Sequence, residues 1–212
     1  MRKELLEEGE YYHVYNRGVD KREIFLDNYD RLRFANSLYI FNNFLNIPFR
    51  FNINSLKPVE LLTPIQPYVE IAAACIMPNH YHILLTPKIH LGISNFLHKI
   101  GVSYTKYFNN KYNRSGSLFE SSFKVKHIDK HEYATYLTQY IHLNPYPLEL
   151  CQTKLGTEKI ENYEWSSLPD YLGGRSRLTK AISLDFRNDV LGMDSLGYRK
   201  LFQETYSSLC QA

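Results

Sequence analysis

Over Glu10–Gly18, EYYHVYNRG, apolar and polar residues alternate and the run closes on glycine. That period of two predicts a strand ending in a turn. The period then lengthens. In FLDNYDRLRFANSLYIFNNFL, Phe34, Leu38, Phe41 and Leu45 recur at helical spacing, which predicts a helix. Residues 46–68 carry several prolines and no period, so they read as a long connection or insertion. Two apolar runs follow, VEIAAACIMP and HYHILLTP, hinged at Pro78-Asn79, and predict an antiparallel pair.

The strongest helical pattern comes next: Ile93, Phe96, Leu97, Ile100, Tyr104, Tyr107 and Phe108 line one face, with Asn95, Lys99, Ser103 and Lys106 opposite. After a loop at 113–117, residues 118–129 alternate again through Phe123, Val125 and His127 and predict a strand. Asp129 and Glu132 have capping-box spacing and open a helix that Pro145 ends. Its Tyr133, Tyr136, Leu137, Tyr140 and Ile141 form a stripe that reads as a buried face. YEWSSLPDYLGG, holding the single Trp, reads as a docking segment, and 176–212 as helical pieces.

Strand, helix, strand, strand, helix, strand is the ferredoxin-like order. The expected class is therefore α+β: an antiparallel sheet with packed helices, an added helix carrying Tyr140, and a C-terminal extension. The expected division is a main domain at 1–172, with 46–68 as an insertion, and the extension at 173–212.

Composition narrows the setting. At 212 residues and 44% apolar, one domain with a proper core is expected. No apolar run approaches the ~18 residues of a membrane helix, and MRKELLEEGE has no apolar leader region, so no membrane association and a cytoplasmic, nucleoid-associated location are expected. Cys75, Cys151 and Cys210 are scattered with no C-x-x-C, which argues against disulfides and zinc ribbons. A net charge of +3 names no partner, but its distribution does more. Between Lys99 and Lys130 seven basic residues face two acidic ones, a local field suited to phosphate.

The candidate chemistry starts at PNHYHILL. Strand alternation puts His80 and His82 on one face and Tyr81, Ile83 and Leu85 on the other. Two imidazoles roughly 7 Å apart on one face are able to converge on a cation. Eight histidines in this length give about 0.3 such pairs by chance, so the pair alone leaves a metal site and a bare strand face both open. In QYIHLNP, Tyr140 and Asn144 share a helix face one turn apart. They read as a nucleophile and a third ligand, or as a core tyrosine and a surface amide.

Taken together and in order, PNHYHILL, GISNFLHKIGVSYTKYFNNKYNRSGSLFESSFK, YLTQYIHLNP and YEWSSLPDYLG resemble the IS200-like tyrosine transposases. They are most similar to the REP-associated group. The opening YYHVYNRGVDKREIFLD fits the same pattern, so the resemblance spans roughly residues 10–172. It implies that His80-Tyr81-His82 is the family's HUH motif, that Tyr140 is its nucleophile, and that Asn144 is its third metal ligand. It implies a divalent cofactor, Mg²⁺ or Mn²⁺, and single-stranded DNA carrying a hairpin as partner, with the protein a monomer or homodimer. Cutting would leave a 5′-phosphotyrosine and a free 3′-OH. The chain has no P-loop, consistent with rejoining that needs no nucleotide. Arg17, Lys99, Lys106, Lys111, Lys124 and Lys126 would follow the DNA backbone, and Tyr112 would stack on a base. The chain reads NPYPLE where relatives often read NPVRAG, and LFESSFK where many read LWQGRFK; these departures bear on the details of DNA contact and not on His80, His82, Tyr140 and Asn144. Two other readings compete. One is a ferredoxin-like module that holds nucleic-acid hairpins without cutting them; the other is a metal-dependent hydrolase of small phosphoesters.

Overall fold

The computed structural model describes residues 6–44, 66–145 and 154–210. Residues 46–65 of the expected insertion, and Cys151, lie outside that range. Four strands, β1 (Tyr11–Arg17), β2 (Val69–Met77), β3 (His80–Pro87) and β4 (Lys124–Ile128), form one antiparallel sheet in the order β2-β3-β1-β4. With α1 (Asn28–Ile40) after β1 and α2 (Gly92–Lys111) after β3, this is the ferredoxin-like arrangement expected. It puts β1, with His13, and β3, with His80 and His82, side by side at the centre of the sheet.

Alternation decides the two faces. Tyr12 and Val14 of β1 and Tyr81, Ile83 and Leu85 of β3 point to α1 and α2, where they join Phe25, Phe34, Phe96, Ile100 and Tyr104 in a closed core. The opposite face is covered over β2 and β3 by α3 (His131–Leu143), together with α5 (Leu168–Tyr171) and α6 (Ser195–Leu209). There Ala73, Cys75 and Met77 of β2 are small or flexible enough to let Leu137 and Ile141 of α3 lie close. A short α4 (Lys154–Glu161) precedes α5, and a single π-helical turn spans Phe186–Val190.

Three expectations on element ends change. The capping box belongs to α1, not α3: Asp27 accepts from Asp30 N–H and Asp30 reaches back to the Asp27 N–H. α3 starts at His131, with Lys130 rather than Asp129 at the N-cap and no side-chain cap. The strand expected over 118–129 is regular only at Lys124–Ile128, because the preceding residues turn away to meet the end of β1. Asn144 keeps helical angles although Pro145 follows, held by its N–H to the Tyr140 carbonyl. That keeps its side chain on the face of α3 that carries Tyr140.

Candidate active site

Three pieces of backbone fix the histidines. Gly18, at the end of β1, donates its N–H to the Asn79 carbonyl, while Ile24 and Phe25 donate to the Pro78 carbonyl. Those bonds clamp the two-residue β2–β3 turn that presents His80. A Cβ on Gly18 would stand 2.3 Å from the Arg22 carbonyl oxygen, so only glycine allows this approach. Cross-strand pairing then brings His82 beside Tyr15 and His80 beside Arg17, while Tyr15 and His13 pair with Lys124 and Lys126 on the far side.

The hydrogen bonds assign protons. Asn79 Nδ2 donates to the Lys21 carbonyl, which orients its amide so that Oδ1 faces His80 Nδ1 at 2.5 Å. His80 Nδ1 is therefore the protonated nitrogen. Burial lowers the His80 pKa, a trend opposed by Asn144 and reinforced by Arg17, so the ring is neutral and Nε2 carries a lone pair. Nε2 faces Asn144 Oδ1, another acceptor, at 3.3 Å. Two acceptors converging on one gap are satisfied by a cation, or without one by a flip of the Asn144 amide. Two ligands at right angles around a Mg²⁺-sized ion, each at about 2.1 Å, stand about 3 Å apart. The pair fits such a cation.

His82 is nearly buried and shares a 2.8 Å hydrogen bond, through Nδ1, with His13 Nε2. Burial, followed by the neighbouring His13 and His80, pushes its pKa down to about 3, and burial and Lys126 push His13 down to about 4. Both rings are neutral at pH 7. When His82 donates from Nδ1 to His13, its Nε2 is bare and suited to a metal, an outer contact of the kind that orients ligating imidazoles. Tyr140 stands over this pair, its ring 5.6 Å from His82 and 6.5 Å from His13, both edge-on. Among the described residues no group of three His, Cys, Asp or Glu side chains is arranged to hold a metal, so an ion at His80 and His82 would need a third donor of another type, such as the Asn144 amide.

α3 is locked from behind. His142, fully buried, bonds Tyr198 Oη through Nδ1 and Ser167 Oγ through Nε2, each at 2.8 Å. Ser167 Oγ also accepts from the Ala74 N–H of β2. The C-terminal segment thereby fixes the register of α3 over the sheet and so the height of Tyr140 above His82.

The basic residues divide. Arg17 and Lys124 border a cleft of about 290 Å³ that has His80 and His82 in its lining. Both pair with Glu120, whose carboxyl they hold below the usual range. Lys126 donates to Tyr133 Oη beside the same face. Lys99, Lys106 and Lys111 stand on α2, which packs on the opposite face of the sheet, so the basic run in sequence is not one track in space. Lys99 lies over the Tyr68 ring, and Lys106 is exposed beside a separate cleft bordered by Phe119 and Phe123. Lys111 and Tyr112 are engaged within the fold: Lys111 pairs with Asp27 and Asp30, and Tyr112 packs on Phe108 and donates to Asp30. Their polar groups are spent in tying α2 to the start of α1. His13, Tyr15 and Asn79 were missed. Strand alternation places His13, Tyr15 and Arg17 on one face, but nothing local says that this face meets His82.

The segment that carries these parts is recognisable. Residues 66–144, from just before β2 to Asn144, match the family model of IS200-like transposases, so the resemblance read from the sequence holds over that segment. Among solved structures, the chain is similar to a REP-associated tyrosine transposase bound to a REP hairpin, with 14% identity, a TM-score of 0.50, and coverage of 82% of this chain and 84% of that one. At that identity the likeness is one of fold. No curated protein matches the chain. Among the described residues no helix is long and apolar enough to cross a membrane.

Proposed function

We propose that this protein nicks and rejoins single-stranded DNA beside a hairpin, with Tyr140 as the nucleophile. The observation that carries the proposal is the meeting of two distant motifs. Asn144 and Tyr140, on one face of α3, come to His80 and His82 on β3: Asn144 Oδ1 lies 3.3 Å from His80 Nε2, and the Tyr140 ring lies over His82. A binding surface has no need of that convergence.

A Mg²⁺ or Mn²⁺ ion held by His80, His82 and Asn144 would neutralise charge on the scissile phosphate. Neutral nitrogen and amide-oxygen donors leave its positive charge undiminished. Tyr140 Oη forms a bond to phosphorus as the bond from phosphorus to the 3′-oxygen breaks. The phenol loses its proton and the departing 3′-oxygen gains one, leaving a 5′-phosphotyrosine and a 3′-OH. Attack by a 3′-OH reverses each change, so the bond is conserved and no nucleotide is consumed. Arg17 and Lys124 border the cleft where phosphate would lie, and Glu120 holds them in place until an anion competes. The structural neighbour, by its description, holds a REP hairpin, and a palindromic hairpin is the partner we propose here. A cytoplasmic, nucleoid-associated setting goes with that partner.

The test is an incubation with Mn²⁺ and single-stranded DNA from beside the protein's own gene, read on a denaturing gel. The wild type is expected to form an adduct that Tyr140→Phe does not, with hairpin binding retained. An adduct in Tyr140→Phe rejects Tyr140 as nucleophile. No adduct on any hairpin, with affinity indifferent to chelator, makes the protein a hairpin-binding module instead.

A further inference from the structure

The tyrosines of α3 do not behave as the buried stripe their spacing suggests. Leu137 and Ile141, at 2% and 0% exposure, take the core face, while Tyr136 is 59% exposed and Tyr140 41%. Tyr133, Tyr136 and Tyr140 follow i, i+3, i+7 along the open side. Their rings form a ladder: 6.2 Å and 28° between the first two, 6.5 Å and 22° between the second and third. Large aromatic side chains held nearly parallel on a wet surface contribute little to the fold and mark a contact surface.

The surroundings say what contacts it. The ladder walls a cleft of about 380 Å³ with His82 and Tyr15 in its lining, so the cleft is continuous with the candidate site. At its far end Lys126 places its ammonium 4.3 Å from the Tyr133 ring centroid. Lys124, two residues back along β4, turns the same way. Aromatic faces in series, with cations beside them and a phosphate site at one end, form the combination that binds unpaired nucleic acid. An apolar protein segment would use the rings but not the flanking lysines.

We infer that Tyr133, Tyr136 and Tyr140 form a stacking track for unpaired bases of the strand whose phosphate enters the candidate site, with Lys126 on its backbone. The track accepts any base, because every base offers a π-face. The inference rests on the reading above for which strand is bound, but its test needs no cleavage.

Binding is followed by fluorescence anisotropy with a labelled short oligothymidylate and with an abasic strand of equal length and charge, in chelator so that no chemistry occurs. The wild type is expected to prefer the oligothymidylate about fivefold or more, the worth of one stacked base. Tyr136→Ala should reduce that preference severalfold, and Tyr136→Phe, which keeps the ring, should restore it. Thermal melting of each variant checks the fold. Equal binding of both strands by the wild type, or an unchanged preference in Tyr136→Ala, overturns the inference. A failed adduct assay with an intact base preference would instead reject the cleavage reading and leave the track standing.

Discussion

The two faces of the sheet are made by the same strands and do opposite things. On the closed face Val14, Tyr81, Ile83 and Leu85 meet α1 and α2, and every large side chain finds an apolar neighbour. On the other, His13, Tyr15, Arg17, His80 and His82 border two clefts beside α3 that reach the histidines. Each strand residue is therefore one step from the other environment. Tyr81, between the two candidate ligands, packs on Phe34. The closed face supplies rigidity, and the open face uses it to hold His80 and His82 at fixed height beneath Tyr140. Side chains preorganised for binding need a locked supporting layer.

The largest expected difference is in stability. Phe34→Ala empties a fully buried position and should cost about 3–5 kcal/mol in urea unfolding. His80→Ala, on the open face, should cost about 1 kcal/mol or less, and equal losses would end the distinction between the faces. Function should respond the other way round. Mn²⁺ binding, followed by electron paramagnetic resonance, should weaken about a hundredfold in His80→Ala and stay unchanged in Lys111→Ala. His13→Ala, which removes the partner of His82 Nδ1, should fall in the 10- to 100-fold range of outer contacts. Undiminished binding in His80→Ala would remove the metal assignment.

Acid sensitivity also separates the two faces. Among the described residues the buried histidines are His13, His82 and His142, all on the α3 side of the sheet. Burial leads the fall of each: His13 to about 4, His82 and His142 to about 3. An unfolded histidine titrates near 6.5. Below that value the unfolded chain takes up protons that the folded chain refuses, so stability is full above pH 6.5 and declines as pH falls toward 4. Each histidine should cost at most about 2 kcal/mol by pH 5. Urea unfolding at pH 7 and pH 5 reads this, and His82→Gln should shallow the slope. An identical slope would mean that His82 is not shielded by the fold.

Much of this was legible locally. Period-two alternation separated His80 and His82 from Tyr81, and the 3.6 period set the core face of α2, because both depend on backbone geometry within a few residues. The same logic failed at α3. A helical stripe reports a shared face, not what covers it, and Tyr136 and Tyr140 lie toward the edge where the cover ends. Nor does it show the partners of Lys111 and Tyr112, since the carboxylates that engage them, on Asp27 and Asp30, are over eighty residues away in the chain.

The chain alone determined the order of elements, the face of each strand, and two short motifs with suitable chemistry and a family resemblance. Those follow from steric preferences and spacing, which act over a handful of residues. Only the tertiary structure decided that His13 meets His82, that Glu120 holds Arg17 and Lys124, and that Tyr136 and Tyr140 of α3 stay in water. Those contacts join residues far apart in the chain, and they exist because the sheet order places β1 between β3 and β4 and the C-terminal helices press α3 onto β2 and β3. Burial by elements remote in sequence sets the environment of each group, and with it the group's charge, exposure and partner.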